Sequence, residues 1–322
     1  MKERIERYIG SQSVWTSTFH SMCARMLRYD ADRIGYSTDF TIYTDLESER
    51  VVKRVLQDYP QADPKNKGDY LWHISRAKTL ALSPDAYYDA IKNDDNDAYN
   101  IYQVYARYEE ELKKCNCMDF DDLLLKTVKL FSECPDVLEK YQRRFQYICV
   151  DEFQDTNGVQ FEIIRLLASV HGNLFAVGDD DQSIYKFRGA TIENILSFEK
   201  QFKGARVIRL EQNYRSTQAI LNAANAVISH NRGRKGKKLW TQNAAGDRIT
   251  VYEASSESDE ANYIASRIIS MSKGKNFKDF AVLYRTNAQS NAVENSFKRS
   301  GIPYRIIGGT RFFDRAEVKD ML

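Results

Sequence analysis

The chain has 322 residues, a length that accommodates about two or three domains with hydrophobic cores of their own. Its 47 Lys and Arg residues against 45 Asp and Glu leave a formal net charge of +2, so only a local basic patch could recognise a polyanion. No apolar run approaches the roughly 18 residues of a membrane span, and no segment resembles a signal peptide, which predicts a soluble cytoplasmic protein with no membrane partner. The five Cys residues are odd in number and lack zinc-ligand spacing, which predicts reduced thiols without a metal.

The first third of the chain is predicted to be helical. Residues 1–10 and 18–28 have helical periodicity and are separated by a short strand or loop. The capping box T-D-L-E at 44–47 predicts a helix that ends near Gln57. Further helices are predicted at 71–80, 84–91 and 98–112. Because residues 36–118 contain no convincing β-run, they are predicted to form an all-helical insert.

An alternation of β and α segments begins at Asp119. Strands are predicted at 147–150, 173–177, 206–210, 249–253, 280–284 and 304–307. The helices predicted before and between them cover 119–131, 136–145, 159–170, 192–202, 217–231, 258–271 and 291–300. This alternation predicts the α/β class, with two doubly wound parallel-sheet units. The predicted domains are 1–35 joined with 119–208, the insert 36–118, and 209–322.

Two adjacent acids, Asp151 and Glu152, follow the apolar run at 147–150. Most Asp-Glu pairs are solvated turn residues, which is the simpler interpretation. However, open α/β sheets bind their ligands at the carboxyl ends of strands, and P-loop ATPases hold Mg²⁺ there with an Asp. The position of this pair therefore favours a magnesium-nucleotide site.

Two more predicted strands end in polar clusters that suit phosphoryl transfer. Gln182 follows one and could align a γ-phosphate, while Arg215 follows another and could stabilise transition-state charge. Beside that arginine, Tyr214 offers a ring for an adenine. Each has a structural alternative, because Arg215 could pair with Glu211 and Gln182 could cap the next turn. Together with the acidic pair they predict one phosphoryl-transfer site.

Three further features admit both a structural and a functional interpretation. An apolar and aromatic stripe at helical spacing in 98–112 could stack bases, but it is predicted to be core. The segment T-S-T-F-H-S at 16–21 could bind a phosphate with hydroxyls and helix amides, or Ser17 or Thr18 could simply cap the helix. The glycine-broken basic segment at 232–238 could contact a phosphate backbone or form a solvated turn.

The motifs together resemble those of one family, the superfamily 1 DNA helicases of the UvrD/Rep/PcrA type, and are closest to its PcrA/UvrD branch. The matching segments are TSTFHS (16–21), VDEFQDTN (150–157), VGDDDQSIYKFRGA (177–190), LEQNYRST (210–217), LYRTNAQS (283–290) and IPYRIIGGTRFFDRAEVKDML (302–322). The resemblance implies two RecA-like domains with ATP in the cleft between them. It also implies a motor that moves 3′ to 5′ on single-stranded DNA and separates duplexes at single-strand/duplex junctions, in repair or replication and alongside the proteins of those processes.

The resemblance implies a role for each matching residue. Asp151 would hold Mg²⁺ and Glu152 would be the catalytic base. Gln182 would contact the γ-phosphate of ATP and couple it to DNA, while Arg215 would act as the arginine finger and Tyr214 would stack on adenine. The residues implied to contact DNA are Thr18, Phe19, His20, Tyr185, Phe187, Arg188, Arg285 and Asn287. Phe187 stands where close relatives often have Trp, and stacking on such rings contributes roughly 1–3 kcal/mol per base.

The chain departs from the family pattern in one respect that bears on activity. Its 322 residues contain no G-x-x-x-x-G-K-[ST] phosphate-binding loop, and the family's later motifs are not found either. The chain is therefore interpreted as a helicase fragment in which both RecA-like domains are incomplete. The alternatives are a truncated, non-catalytic protein that binds single-stranded DNA or regulates, a subunit of a helicase–nuclease, and a nucleotide switch without DNA. The aromatic-basic segment 185–188 argues against the last of these.

We expect the isolated 322-residue chain not to hydrolyse ATP at a useful rate, because it lacks the Lys and the amide cradle that hold the phosphates. The measurement is phosphate release from ATP with and without oligo(dT). DNA-stimulated hydrolysis that disappears in Glu152→Gln would contradict this expectation.

Overall fold

The computed structural model describes residues 2–10, 14–59, 64–185, 189–231 and 233–307. Its contacts divide the chain into a first unit, residues 1–214 with 221–241, and a second unit, residues 215–220 with 242–322. The three domains predicted from the sequence, 1–35 with 119–208, 36–118 and 209–322, remain a prediction. None of the helices in the described ranges is long and apolar enough to cross a membrane.

The helices lie close to where the sequence predicts them. They are α1 (Lys2–Ile9), α2 (Phe19–Asp30), α3 (Asp45–Leu56), α4 (Lys67–Thr79), α5 (Pro84–Ile91), α6 (Ala98–Lys114), α7 (Phe120–Glu133), α8 (Pro135–Arg144), α9 (Gly158–Ala168), α10 (Glu193–Leu196), α11 (Phe198–Gln201), α12 (Gln218–Ile228), α13 (Glu257–Met271) and α14 (Ser290–Arg299). The predicted capping box opens α3, since Thr44 accepts from the Glu47 amide and its own amide donates to the Glu47 carboxylate over 2.7 Å. The single helix predicted at 192–202 is instead two short ones, α10 and α11.

Two short parallel strand pairs form in the first unit. β3 (Ile148–Val150) pairs with β4 (Leu174–Ala176), and α9 connects them, as the alternating pattern predicts. β1 (Thr41–Ile42) pairs with β2 (Cys117–Met118), which brings together the two ends of the helical segment 43–116. Both strands lie within 36–118, where only helices were predicted, because a two-residue strand leaves no periodic signal in the sequence.

Separate hydrophobic clusters occupy the first unit. One lies among α2, α7, α8 and α9, and contains the buried residues Met26, Leu27, Leu130, Phe131 and Ile163. Another lies among α3, α4, α5 and α6 and includes Tyr105 and Tyr108. Both tyrosines are at most 1% exposed, so the helical stripe is core, as predicted. A smaller cluster beneath β3 and β4 contains Val150, Phe153 and Ile164.

A buried charge cluster joins the helical segment to α7. The fully buried ammonium of Lys78, on α4, lies 2.6 Å from Glu109 Oε1 on α6 and 2.6 Å from Asp119 Oδ2. It also lies 3.0 Å from Asp122 Oδ2 on α7. Burial alone would lower the pKa of Lys78, but the surrounding carboxylates outweigh it and raise that pKa well above its usual value. The ammonium is therefore charged at neutral pH and holds three helices together.

The second unit has a small core between α13 and α14, formed by Ala265, Ile268, Phe297 and Ile302. The strands predicted at 249–253, 280–284 and 304–307 do not form ladders among the described residues, nor does the one predicted at 206–210 in the first unit. Apolar alternation favours a strand only where a neighbouring layer covers it. Val251 is 90% exposed and Leu283 is 91% exposed, so no such layer covers them in the described part of the chain.

We expect Lys78→Met to lower the free energy of unfolding by roughly 3–5 kcal/mol, because it leaves the buried Asp119 carboxylate without its counter-ion and leaves Glu109 and Asp122 with Lys126 alone. The measurement is urea unfolding followed by circular dichroism. Lys67→Met is the matched control at the start of the same helix, where the pair with Glu49 is partly exposed and contributes about 1 kcal/mol or less. Equal losses in the two variants would show that the buried cluster does not stabilise the fold.

Candidate functional site

Strand pairing brings the two acidic tips together. The Val177 amide donates to the Val150 carbonyl over 2.8 Å, and the Phe153 amide donates back to the Val177 carbonyl over 2.9 Å. These bonds continue the β3–β4 ladder beyond its last paired residues. The carboxyl end of β3 carries Asp151 and Glu152, and the carboxyl end of β4 leads into Asp179. The carboxyl ends of β3 and β4 are therefore adjacent, as the sequence predicted.

The acidic pair has an unusual backbone. Glu152 has φ 51° and ψ 44°, in the left-handed region, which costs a residue with a side chain roughly 1–3 kcal/mol. Asp151 and Glu152 are both exposed. The Glu152 amide donates to Asp151 Oδ1 over 3.1 Å, and no hydrogen bond reaches Asp151 Oδ2 from the described residues. This carboxylate oxygen is open to solvent at the strand tip.

Gln154 links the two strand tips through its side chain. It is 1% exposed, and its Nε2 donates to Glu152 Oε2 over 2.8 Å. Its Oε1 accepts from the Asp179 amide over 2.9 Å. Gln154 lies in the motif VDEFQDTN, but no role was predicted for it from the sequence. Gln154 stands among the polar residues Glu152, Asp155 and Thr156, so the local sequence does not distinguish a buried amide from an exposed one.

Gly178 makes room for this link. A Cβ at position 178 would lie 2.7 Å from Gln154 Oε1 and 2.9 Å from Ile195 Cδ1. Both distances are shorter than normal contacts, so any side chain here would displace the carboxamide. The close approach of the two tips depends on this glycine.

Gln182 is attached to the same network. Its Nε2 donates to Asp179 Oδ2 over 2.8 Å, and Gln182 itself is exposed in a short turn at 180–182. Glu152 and Gln182 are therefore connected through Gln154 and Asp179. This arrangement holds one carboxylate and one carboxamide at the end of the same strand pair, as the sequence predicts.

The structure describes residues 233–238 of the basic segment. They contact the three acids that follow β4, which are Asp179, Asp180 and Asp181. Arg234 donates from Nε and Nη2 to the two carboxylate oxygens of Asp181, each over 2.7 Å. The Lys237 ammonium pairs with Asp179, and the Lys235 amide donates to Asp180 Oδ2 over 2.8 Å. The side chains of Arg234 and Lys237 thus bind the protein's own carboxylates, which neither interpretation of this segment predicted.

The residues implied to contact DNA at the start of α2 lie near β3. Thr18 is the N-cap, since its Oγ1 accepts from the Ser21 amide over 3.3 Å, so the capping interpretation holds for this hydroxyl. Phe19 packs against the cluster that contains Val150. Partial burial lowers the pKa of His20, so its imidazole is neutral at pH 7. Phe120, which the sequence did not single out, is 49% exposed and packs edge-on against His20 at 5.8 Å.

The remaining predicted residues lie at several places. Tyr185 is 39% exposed, whereas Phe187 and Arg188 lie outside the described residues. Tyr214 is 78% exposed and its hydroxyl donates to Gln212 over 2.9 Å, within the first unit. Arg215, Arg285 and Asn287 are exposed residues of the second unit. Gln289 accepts from the Arg285 amide over 2.9 Å, which orders that turn.

Two places at the tips offer oxygen ligands of the kind that Mg²⁺ prefers. Asp179, Asp180 and Asp181 form the one group of three potential ligands found among the described residues, but cationic side chains already contact them. Asp151 instead presents an exposed carboxylate with an open oxygen. The donor chemistry and exposure of Asp151 fit a divalent cation better.

Comparison with known sequences agrees with this geometry. The UvrD/REP helicase N-terminal domain matches residues 1–203, and the UvrD-like helicase C-terminal domain matches residues 208–322. The chain belongs to the UvrD/Rep family of DNA helicases. Membership in this family and the short parallel sheets confirm the predicted α/β class with RecA-like domains.

Individual relatives are similar along the whole chain. The chain is 48% identical to the ATP-dependent DNA helicase PcrA of Staphylococcus epidermidis and 48% identical to that of Staphylococcus aureus. Each alignment covers 100% of this chain and 44% of the relative. The chain therefore spans less than half the length of these relatives.

We expect Gly178→Ala to destabilise the fold by about 1–3 kcal/mol, because the added methyl group overlaps the Gln154 carboxamide. Thermal and urea unfolding measure this loss. Gly158→Ala is the matched control, since a Cβ there meets only the Thr79 carbonyl at 3.9 Å, an ordinary contact. If the two variants unfold alike, Gly178 is not needed for the contact between the tips.

Proposed function

We propose that the chain carries part of an ATP-dependent motor that moves 3′ to 5′ along single-stranded DNA and unwinds duplexes at junctions. The observation that supports this most directly is the Gln154 link between Glu152 and the tip that bears Gln182. It holds a base and a carboxamide at one strand-pair end, where phosphoryl-transfer enzymes place such groups. The similarity to PcrA helicases along the whole chain supports the same assignment.

In this proposal Asp151 holds Mg²⁺ through its open oxygen Oδ2. The bound cation would neutralise negative charge on the phosphates of ATP. Glu152 would accept a proton from the attacking water at a carboxylate oxygen. Its Oε2 already accepts from Gln154, so that bond fixes the direction of the carboxylate and leaves Oε1 for the water.

Asp155 lies three residues after Glu152 in the same short turn. Partial burial and the Glu152 charge together raise the pKa of Asp155, whose Oδ1 is buried and has no hydrogen-bond partner among the described residues. Gln182 would align the γ-phosphate, and Arg215 would contribute positive charge from the second RecA-like domain. Tyr214 would stack on the adenine.

For DNA, we propose a surface of aromatic rings, neutral hydrogen-bonding groups and arginine side chains. Thr18, Phe19, His20 and Tyr185 belong to it in the first unit, with Phe187 and Arg188 by resemblance. By resemblance, Arg285 and Asn287 of the second unit also contact DNA. The neutral imidazole of His20 and the exposed ring of Phe120 suit stacking on bases, which tolerates any sequence. The proposed setting is DNA repair or replication in the cytoplasm, with proteins of those processes as partners.

We expect the chain to bind oligo(dT) weakly and with strong salt dependence, because phosphate contacts release counterions. Phe187→Ala should weaken this binding by about fivefold or more, since stacking contributes roughly 1–3 kcal/mol per base. The measurement is fluorescence anisotropy of labelled oligo(dT) at low salt.

Tyr147→Ala is the matched control for that measurement. Tyr147 is a 79% exposed ring at the amino end of β3, opposite the acidic tip. Equal affinity of Phe187→Ala and the unchanged chain would remove Phe187 from the DNA surface. Absence of any oligo(dT) binding at low salt would favour a nucleotide switch without DNA.

A further inference from the structure

The basic segment and the acidic tip are far apart in sequence but form a compact ionic cluster. Lys237 lies 58 positions after Asp179, and its ammonium approaches all three acids: Asp179 directly, and Asp180 and Asp181 at 3.8 Å each. Arg234 also donates from Nη2 to the Lys237 carbonyl over 3.0 Å, so the two cations are held in one loop. Both cationic side chains are less than 20% exposed, at 18% for Arg234 and 17% for Lys237.

The Asp179 carboxylate is the point where this cluster meets the proposed site. Its Oδ1 accepts from Lys237 and from the Asp181 amide, the latter over 3.0 Å. Its Oδ2 accepts from Gln182 Nε2. Partial burial opposes its ionisation, but the bonds from Lys237 and Gln182 outweigh burial and lower its pKa. The carboxylate is therefore fully ionised at neutral pH, and its direction is fixed from both sides.

We propose that Lys237, supported by Arg234, is a positioning residue that orients the Gln182 carboxamide through Asp179. This inference rests on the proposed function, since it is the role of Gln182 that makes its orientation matter. Without Lys237, Asp179 Oδ1 keeps only the Asp181 amide as a donor, so the carboxylate is held less firmly. Gln182 then loses a fixed acceptor and samples other directions. Lys237 acts on Gln182 through Asp179, so neither Lys237 nor Arg234 needs to touch a nucleotide.

Ion pairing makes this positioning sensitive to salt. A pair that is partly exposed weakens as the ionic strength rises, whereas the hydrogen bonds of a neutral buried amide do not. Gln142 provides the comparison: its Nε2 donates to the Leu166 carbonyl over 2.8 Å and to Ser169 Oγ over 3.0 Å, with no ion involved. Salt should therefore affect Gln182 and spare Gln142.

The test follows the side-chain carboxamide of Gln182 by ¹⁵N–¹H NMR of the complete 322-residue chain, with the signal assigned by its loss in Gln182→Leu. We expect Lys237→Ala to shift this signal and to accelerate its hydrogen exchange by roughly tenfold, as expected for the loss of one hydrogen bond. Lys237→Arg, which keeps the charge, should restore both. Lys238→Ala is the matched control, since Lys238 is exposed and forms no ion pair with the described residues.

A salt titration of the unsubstituted chain covers the case in which Lys237→Ala does not fold. Between about 50 mM and about 1 M NaCl, the Gln182 signal should move toward its position in a folded Asp179→Asn variant, and the Gln142 signal should stay. An unchanged Gln182 signal in both experiments would overturn the inference. Neither experiment uses nucleotide or DNA, so failure of oligo(dT) binding counts against the proposed function and leaves this result standing.

Discussion

The parallel pairing of β3 with β4 is the interaction on which the candidate site depends. Only three residue pairs form it, from Ile148 with Leu174 to Val150 with Ala176. Because parallel strands end on the same side, these few pairs carry two separate polar turns to one edge. Phe153 anchors the turn after β3, because its ring is buried beneath the sheet. Its amide also donates to the Val177 carbonyl, which ties this turn to the end of β4.

Strand pairing alone does not explain the conformation of Glu152. Its left-handed backbone costs roughly 1–3 kcal/mol, and each hydrogen bond of Gln154 returns about 0.5–1.5 kcal/mol. The combined free energy of two such bonds can offset the backbone strain, provided that water is excluded from the carboxamide. Gln154 is 1% exposed, which meets that condition. The buried amide is therefore the element that makes a strained acidic turn compatible with a stable fold.

The sequence predicted what is local and missed what is distant. Caps and helical faces depend on residues three or four positions apart, so α3 with its Thr44 cap and the Tyr105 stripe were predictable. The Lys78 cluster joins residues up to 44 positions apart, from Lys78 to Asp122, and nothing near Lys78 marks it as buried. The prediction of a strand at 249–253 was wrong for a related reason. The alternation of apolar and polar residues does not show whether a neighbouring strand is present to pair with it. The helicase motifs predicted Asp151, Glu152 and Gln182 as site residues, but the pairing of Lys237 with Asp179 is visible only in the fold.

The distribution of positive charge also decides which carboxylates can serve a metal ion. Asp179, Asp180 and Asp181 look like the stronger site, since they offer three oxygens within 4.8 Å of one another. A divalent ion placed there would have to displace Lys237 and Arg234 and leave both cations without partners. Asp151 carries no such competitor, since among the described residues only the Glu152 amide bonds its carboxylate. In our proposal, the tip of β4 therefore positions Gln182 and the tip of β3 holds the cation, which is the reverse of the order that acid count alone would give.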